Sequence, residues 1–205
     1  MNRVLIATHN QGKLKRYKNL FADLSGLELL SLQELNINTK IDEPYNNPKE
    51  NAIYKAKEYA KISFLPTVAI DEALTTNFLP ENEQPGVFVR RFNKEKKELS
   101  DLEVLETWKD VFQLYPGENR QFIWDFRLSY YDPHFNILKT AKARQRDFLA
   151  DEFSDKINPG YPMSSFLIPE GYKKPYVELD LDNLLKIDQK NLKSFKNLLK
   201  FFYNL

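Results

Sequence analysis

Val4-Leu5-Ile6-Ala7 runs directly into Thr8-His9-Asn10-Gln11-Gly12-Lys13, after which Leu14, Tyr17, Leu20, Phe21 and Leu24 recur at helical spacing. A short, continuous apolar run reads as a strand buried on both faces. The polar turn and the periodic stretch after it complete a strand, loop, helix sequence, with Ser25-Gly26 as the helix stop. Leu27 to Leu32 reads as a second strand.

The same alternation continues downstream. Residues 36–47 are polar, contain Pro44 and read as a loop. Asn47 is suited to an N-cap and Pro48 to the first helical position, with Glu50 three residues after the cap. Ala52, Ile53, Ala56, Tyr59 and Ala60 then form one apolar helix face. Thr67-Val68-Ala69-Ile70 reads as a short strand leading into Asp71. Ser100 and Glu103 form a capping-box pattern for a helix reaching about Tyr115, where Pro116-Gly117 ends it. Phe122, Trp124, Phe126, Leu128 and Tyr130 alternate with other side chains over 121–131, a period-2 strand. Asp132-Pro133-His134 turns the chain, and 135–149 returns as its hairpin partner. Residues 154–176, with four prolines, read as irregular, and Leu181 to Phe202 as a C-terminal helical region. Strands mixed with helices predict an α/β fold: a mixed, twisted central sheet flanked by helices.

Composition narrows the chemistry. The chain has 205 residues, 30 Lys+Arg against 29 Asp+Glu, and no cysteine. That length suits one domain, residues 1–205, built as two lobes. Without cysteine there are no disulfides, thiolate metal sites or thiol nucleophiles. The net charge of +1 argues against a dedicated polynucleotide binder. No apolar run approaches the ~18–20 residues of a membrane helix, and the N-terminus has no signal-type cleavage pattern. We expect a soluble, cytoplasmic protein that engages neither membrane nor polynucleotide. Chemistry must then come from carboxylates, lysines or a bound metal.

Three places invite it. The Thr8–Lys13 loop joins a buried strand to a helix N-terminus, where unpaired N–H groups and the helix dipole favour an anion. An ordinary capped turn accounts for it equally well. Glu43, Glu50 and Asp71 are carboxylates near loop and strand ends, and two or three converging would suit Mg²⁺. Glu50 has an ordinary alternative as a first-turn acid, and Asp71 as a turn former. Lys55 lies on the capped helix, where lysines are usually solvated.

Taken in order, these segments resemble the inosine triphosphate pyrophosphatase family. Ala7-Thr8-His9-Asn10-Gln11-Gly12-Lys13 is similar to its T-x-N-x-x-K phosphate loop, and Glu50-Asn51-Ala52-Ile53-Tyr54-Lys55-Ala56 to its E-N-A-x-x-K-A helix. Pro85-Gly86-Val87-Phe88-Val89-Arg90-Arg91-Phe92 looks like its P-G-V-Y-S-A-R-F segment. The order holds over residues 1–92, and the hairpin, the Gly160-Tyr161 segment and the terminal helix extend a looser match. The resemblance implies two lobes with a nucleotide cleft between them and a homodimer. It implies Mg²⁺-dependent hydrolysis of a nucleoside triphosphate to a monophosphate and pyrophosphate. By position, Thr8, Asn10, Lys13 and Lys55 would hold the triphosphate. Glu43 and Asp71 would be metal ligands, and Asp71 also the water-activating base.

The departures are specific. The family's A-D-D-S-G-L appears as Ala69-Ile70-Asp71-Glu72-Ala73-Leu74, which keeps one aspartate and adds Glu72 as a further metal-ligand candidate. G-F-G-Y-D-P appears as Asn158-Pro159-Gly160-Tyr161-Pro162-Met163, leaving Tyr161 to stack on a base. S-H-R becomes Asp188-Gln189-Lys190, where Lys190 keeps the charge without the arginine fork, and the preceding lysine falls on Leu184. The phosphate and metal half is kept while the base-reading half is largely lost. Two readings follow: a pyrophosphatase of altered base specificity, or a catalytically impaired nucleotide-binding or interaction protein on the same fold. His9 and His134 read as bystanders.

Overall fold

The computed structural model describes residues 2–92 and 97–203. The opening forms as its patterning requires. Strand β1 (Asn2–Ile6) is followed by helix α1 (Gln11–Leu20) and strand β2 (Leu27–Ser31), and β1 and β2 pair in parallel from Asn2↔Leu27 to Ile6↔Ser31. Val4, Leu5 and Ile6 are fully buried, as a two-faced strand demands. Helix α1 stops at Leu20, ahead of Ser25-Gly26, where the chain tightens into turns closed by Ala22 N–H to Asn19 O and Leu24 N–H to Phe21 O.

Helix α2 (Pro48–Ser63) starts where its cap places it: Asn47 Oδ1 accepts the Lys49 N–H at 2.9 Å, and Pro48 takes the first turn. Strand β3 (Thr67–Thr76) then pairs in parallel with β1, on the side opposite β2. Parallel crossovers are right-handed, so the β1-α1-β2 and β2-α2-β3 connections, running in opposite directions across β1, put α1 and α2 on opposite faces of the sheet. One face carries a core of Leu5, Ala7, Leu32, Ile37 and Ala69 with Ala56 and Tyr59 of α2.

Strand β3 runs past Ile70, where the sequence reading ended it. It lies between β1 and strand β4 (Gln121–Asp132) in the sheet, and Leu74 and Gly86 add a bridge of two backbone hydrogen bonds, 2.8 and 3.0 Å. Helix α3 (Asp101–Leu114) carries the full capping box between Ser100 and Glu103. Strands β4 (Gln121–Asp132) and β5 (Ile137–Leu149) are the long hairpin pair, and Phe122, Trp124, Phe126, Leu128 and Tyr130 are buried. The irregular stretch contributes a short strand, β6 (Leu167–Pro169), antiparallel to β5. The C-terminal region is two helices, α4 (Leu181–Asn191) and α5 (Lys193–Tyr203). The mixed sheet has the order β2-β1-β3-β4-β5-β6. Among the described residues, no helix is long and apolar enough to cross a membrane.

The chain divides into two units, one of Met1–Glu72, Phe126–Ala143 and Asp188–Leu205, the other of Ala73–Asp125 and Arg144–Ile187. The second has an aromatic core around the fully buried Trp108, whose ring lies 5.1–5.5 Å from those of Phe92, Phe112 and Phe122.

Helix α2 ends on Phe64 in the left-handed region, φ 56°, with its N–H donating to Ala60 O. A side chain there costs about 1–2 kcal/mol, and this one is 73% exposed, so little burial offsets the strain. Phe64→Gly should therefore raise stability by about 0.5–1 kcal/mol in urea unfolding, after the glycine's own entropy cost. A loss of stability would show that the exposed ring is held by contacts stronger than the strain.

Candidate functional site

The phosphate-loop residues sit at the junction of β1 and α1. Thr8 Oγ1 accepts the Asn10 N–H at 3.2 Å, and Asn10 Oδ1 accepts the Lys13 N–H at 3.0 Å as the N-cap of α1. The cap places Lys13 in the first helical turn. Its ammonium group meets Glu72 Oε1 at 2.7 Å, with both side chains mostly buried. Burial pulls the Lys13 pKa down, but Glu72, Asp71 and Glu43 together outweigh it and leave it above the ordinary 10.5.

Lys55 departs from the fate of most helix lysines. It is only 9% exposed. Its three ammonium protons have three acceptors: Glu43 Oε1 at 2.6 Å, Ile70 O at 3.2 Å and Asp71 Oδ1 at 3.3 Å. Glu43 and Asp71 thus share one cation. The loop that carries Glu43 is tied to α2 by Asn51, which accepts the Tyr45 N–H at 3.0 Å and donates to Tyr45 O at 2.9 Å.

Asp71 is 5% exposed, and its Oδ2 is buried without a hydrogen-bond partner. Burial, the largest influence, raises its carboxyl above the ordinary 3.8; Lys55 opposes this and Glu43 adds to it. Such an oxygen is costly to leave bare, and is placed to take a proton or a cation.

Lys13, Glu43, Lys55, Asp71 and Glu72 therefore form one cluster within the first unit, on which each carboxylate is held by a lysine. The three carboxylates do not gather around one point: Glu43 and Asp71 are on Lys55, Glu72 on Lys13. Among the described residues, no group of three or more acidic or histidine side chains is placed to hold a metal ion. Glu50 is exposed in the first turn of α2. His9 turns to Thr39 O at 3.0 Å, away from phosphate-loop duty.

Lys190 stands exposed on α4, also in the first unit. Two residues before it, Asp188 is buried and receives the Arg16 guanidinium of α1 in a forked pair, 2.6–3.1 Å. Sequence reading missed this pair, since nothing local links positions 172 residues apart; a first-turn-plus-three arginine on α1 was its only sign. Tyr161 belongs to the second unit. It follows a tight turn in which its N–H donates to Asn158 O at 2.9 Å, with Pro159 and Gly160 (φ 81°) in the middle, as a type II turn requires. The Gly160 N–H donates to Asp101 Oδ2 at 2.8 Å, and Asp101 Oδ1 accepts from Arg90 at 2.7 Å.

A family model described as the Ham1 family matches residues 4–201. The chain belongs to the Ham1 family. Two relatives, both named dITP/XTP pyrophosphatase, are 35% identical over 125 residues in Escherichia coli O157:H7 and 37% over 106 residues in Vibrio parahaemolyticus. These stretches cover 59% and 52% of this chain, and 58% and 50% of the relatives, so the chain spans little more than half of their length. Solved Ham1 structures share the fold: one from Coxiella burnetii has a TM-score of 0.77 at 23% identity, covering 98% of this chain and 99% of its own. The Staphylococcus aureus Ham1 protein gives 0.69 at 22%, covering 99% and 98%. This Ham1 chain thus bears out the family resemblance and the mixed α/β fold expected from its motifs.

The raised Asp71 pKa has a signed consequence. The folded protein binds that proton more tightly than the unfolded chain. Asp71 therefore contributes stability that is complete below about pH 3.8 and is lost as pH rises through the folded pKa. Asp71→Asn removes this dependence. Variant-minus-wild-type stability, from urea unfolding at a series of pH values, should rise across that interval and level off above it. A difference that falls over the interval would contradict the raised pKa.

Proposed function

We propose that this Ham1 chain is a divalent-metal-dependent nucleoside triphosphate pyrophosphatase that cleaves between the α- and β-phosphates, with Mg²⁺ as the cation. The observation that carries the reading is the cluster of two lysines and three carboxylates beside the Thr8–Lys13 loop. Ammonium groups on opposite sides of the sheet end, Lys13 from α1 and Lys55 from α2, suit successive phosphates of a chain. Thr8 and Asn10 hold the loop that presents Lys13 to the triphosphate.

The cluster has one negative charge in excess when all five groups are ionised. A triphosphate entering it needs a cation from solution, or the like charges repel at a few Å. Hard oxygen donors that keep some waters suit Mg²⁺, and the bare Asp71 Oδ2 is the clearest donor present. Glu43 and Asp71 would hold the cation; Glu72, the further ligand the sequence suggested, stands apart from them on Lys13. When bound, the cation supplies charge neutralisation on the phosphate oxygens and a more acidic water. Asp71 takes the proton of the attacking water, on the buried oxygen that Lys55 leaves open. Lys55, on the same carboxylate, fixes its orientation.

In this reading Tyr161 would stack on the base, and Lys190 would add charge near the nucleotide. With Pro162, Lys190 and Leu184 in place of the family's aspartate, arginine and lysine, fewer groups remain to read the base edge. A broad or shifted base preference follows. The lysines' engagement with carboxylates gives the second reading its footing: if those pairs persist when nucleotide arrives, the chain binds weakly and does not turn over.

Pyrophosphate release from a panel of ordinary and deaminated nucleoside triphosphates with MgCl₂ tests this. Turnover of at least one is expected, and Asp71→Asn should cut kcat by about 10²–10⁴-fold while the protein stays folded by circular dichroism. Absence of turnover across the panel by well-folded protein would refute the activity.

A further inference from the structure

Asp71 and Glu72 are consecutive residues of an extended strand, so their side chains leave opposite faces of the sheet. Asp71 continues the face that Ala69 shares with α2 and meets Lys55. Glu72 continues the other face and meets Lys13 of α1 at 2.7 Å. A phosphate that binds Lys13 must compete with this pair. A carboxylate and a phosphate offer the same thing to an ammonium group, a short charge-assisted hydrogen bond to an anionic oxygen.

We propose that Glu72 is an internal stand-in for phosphate, holding Lys13 until a polyphosphate accompanied by a divalent cation displaces it. This rests on Lys13 being a phosphate-binding residue, as proposed above. The physical sequence is short. When phosphate takes Lys13, the Glu72 carboxylate loses its counter-charge in a mostly buried position, with a new polyanion beside it. Lys55 cannot compensate, because its three protons are already committed to Glu43, Asp71 and Ile70 O. Only a cation from solution restores the balance. Glu72 thus couples anion binding to cation binding, and the coupling is reciprocal: each tightens the other by the same factor. It is an affinity-determining residue acting on Lys13, and it selects metal-complexed polyphosphate over the free anion.

Titration calorimetry with inorganic pyrophosphate, with and without MgCl₂, tests this on the full chain, Glu72→Gln and Glu72→Ser. Gln keeps the length without the charge; Ser is too short to reach Lys13. Metal-free pyrophosphate should bind both variants at least tenfold more tightly than wild type, and the tightening caused by MgCl₂ should shrink by a similar factor. Lys13→Met combined with Glu72→Gln should abolish the gain. Wild type and both variants binding metal-free pyrophosphate within twofold of one another would overturn the role of Glu72 and leave the pyrophosphatase reading standing. A double variant binding as tightly as Glu72→Gln would also overturn it. No binding by any variant, with or without MgCl₂, would overturn both this role and the phosphate site itself.

Discussion

A β-strand sends successive side chains to opposite faces, and the site is built on that constraint. Asp71 and Glu72 each meet a lysine, but from different helices on different faces: Lys55 of α2 and Lys13 of α1. The right-handed crossovers on either side of β1 put those helices where they are. β3 stays extended through both acids, between β1 and β4 in the sheet. Were β3 to turn at Ile70, the alternation would end before the two carboxylates, and no fixed rule would divide them between the helices.

Burial then sets the chemistry. The Lys55–Asp71 contact at 3.3 Å is almost closed to water, so its charges are poorly screened and its geometry is held. Asp71 keeps one oxygen on Lys55 and one bare. That asymmetry separates a carboxylate that is merely paired from one that can still accept a proton or a cation. The Lys13–Glu72 pair completes the set on the other face. Each lysine is thereby held in place without nucleotide, at the cost of being engaged already.

Much of the fold was legible because its signals are local. The apolar run Val4–Ala7, the Asn47-Pro48 cap, the Ser100/Glu103 box and the alternation of 121–131 each specify an element through neighbouring residues alone. What escaped was set at a distance. β3 runs past Ile70 beside β4, 48 residues on in sequence where Thr75 meets Ile123, and β6 exists because β5 offers it an edge. The site was legible in its residue types but not in its pairing. Lys13, Lys55, Glu43, Asp71 and Glu72 were all marked, yet nothing in the spacing showed which lysine takes which acid. The Arg16–Asp188 pair joins positions 172 residues apart, which no local pattern couples.

The cluster is best seen with its ligand in place. A crystal structure with Mg²⁺ and a nucleoside triphosphate analogue that cannot be hydrolysed between the α- and β-phosphates tests it most directly. Phosphate oxygens on Lys13 and Lys55, the cation on Glu43 and Asp71, and Glu72 released from Lys13 are the expected result. An analogue bound elsewhere on the molecule, with both lysines still paired to their carboxylates, would contradict it.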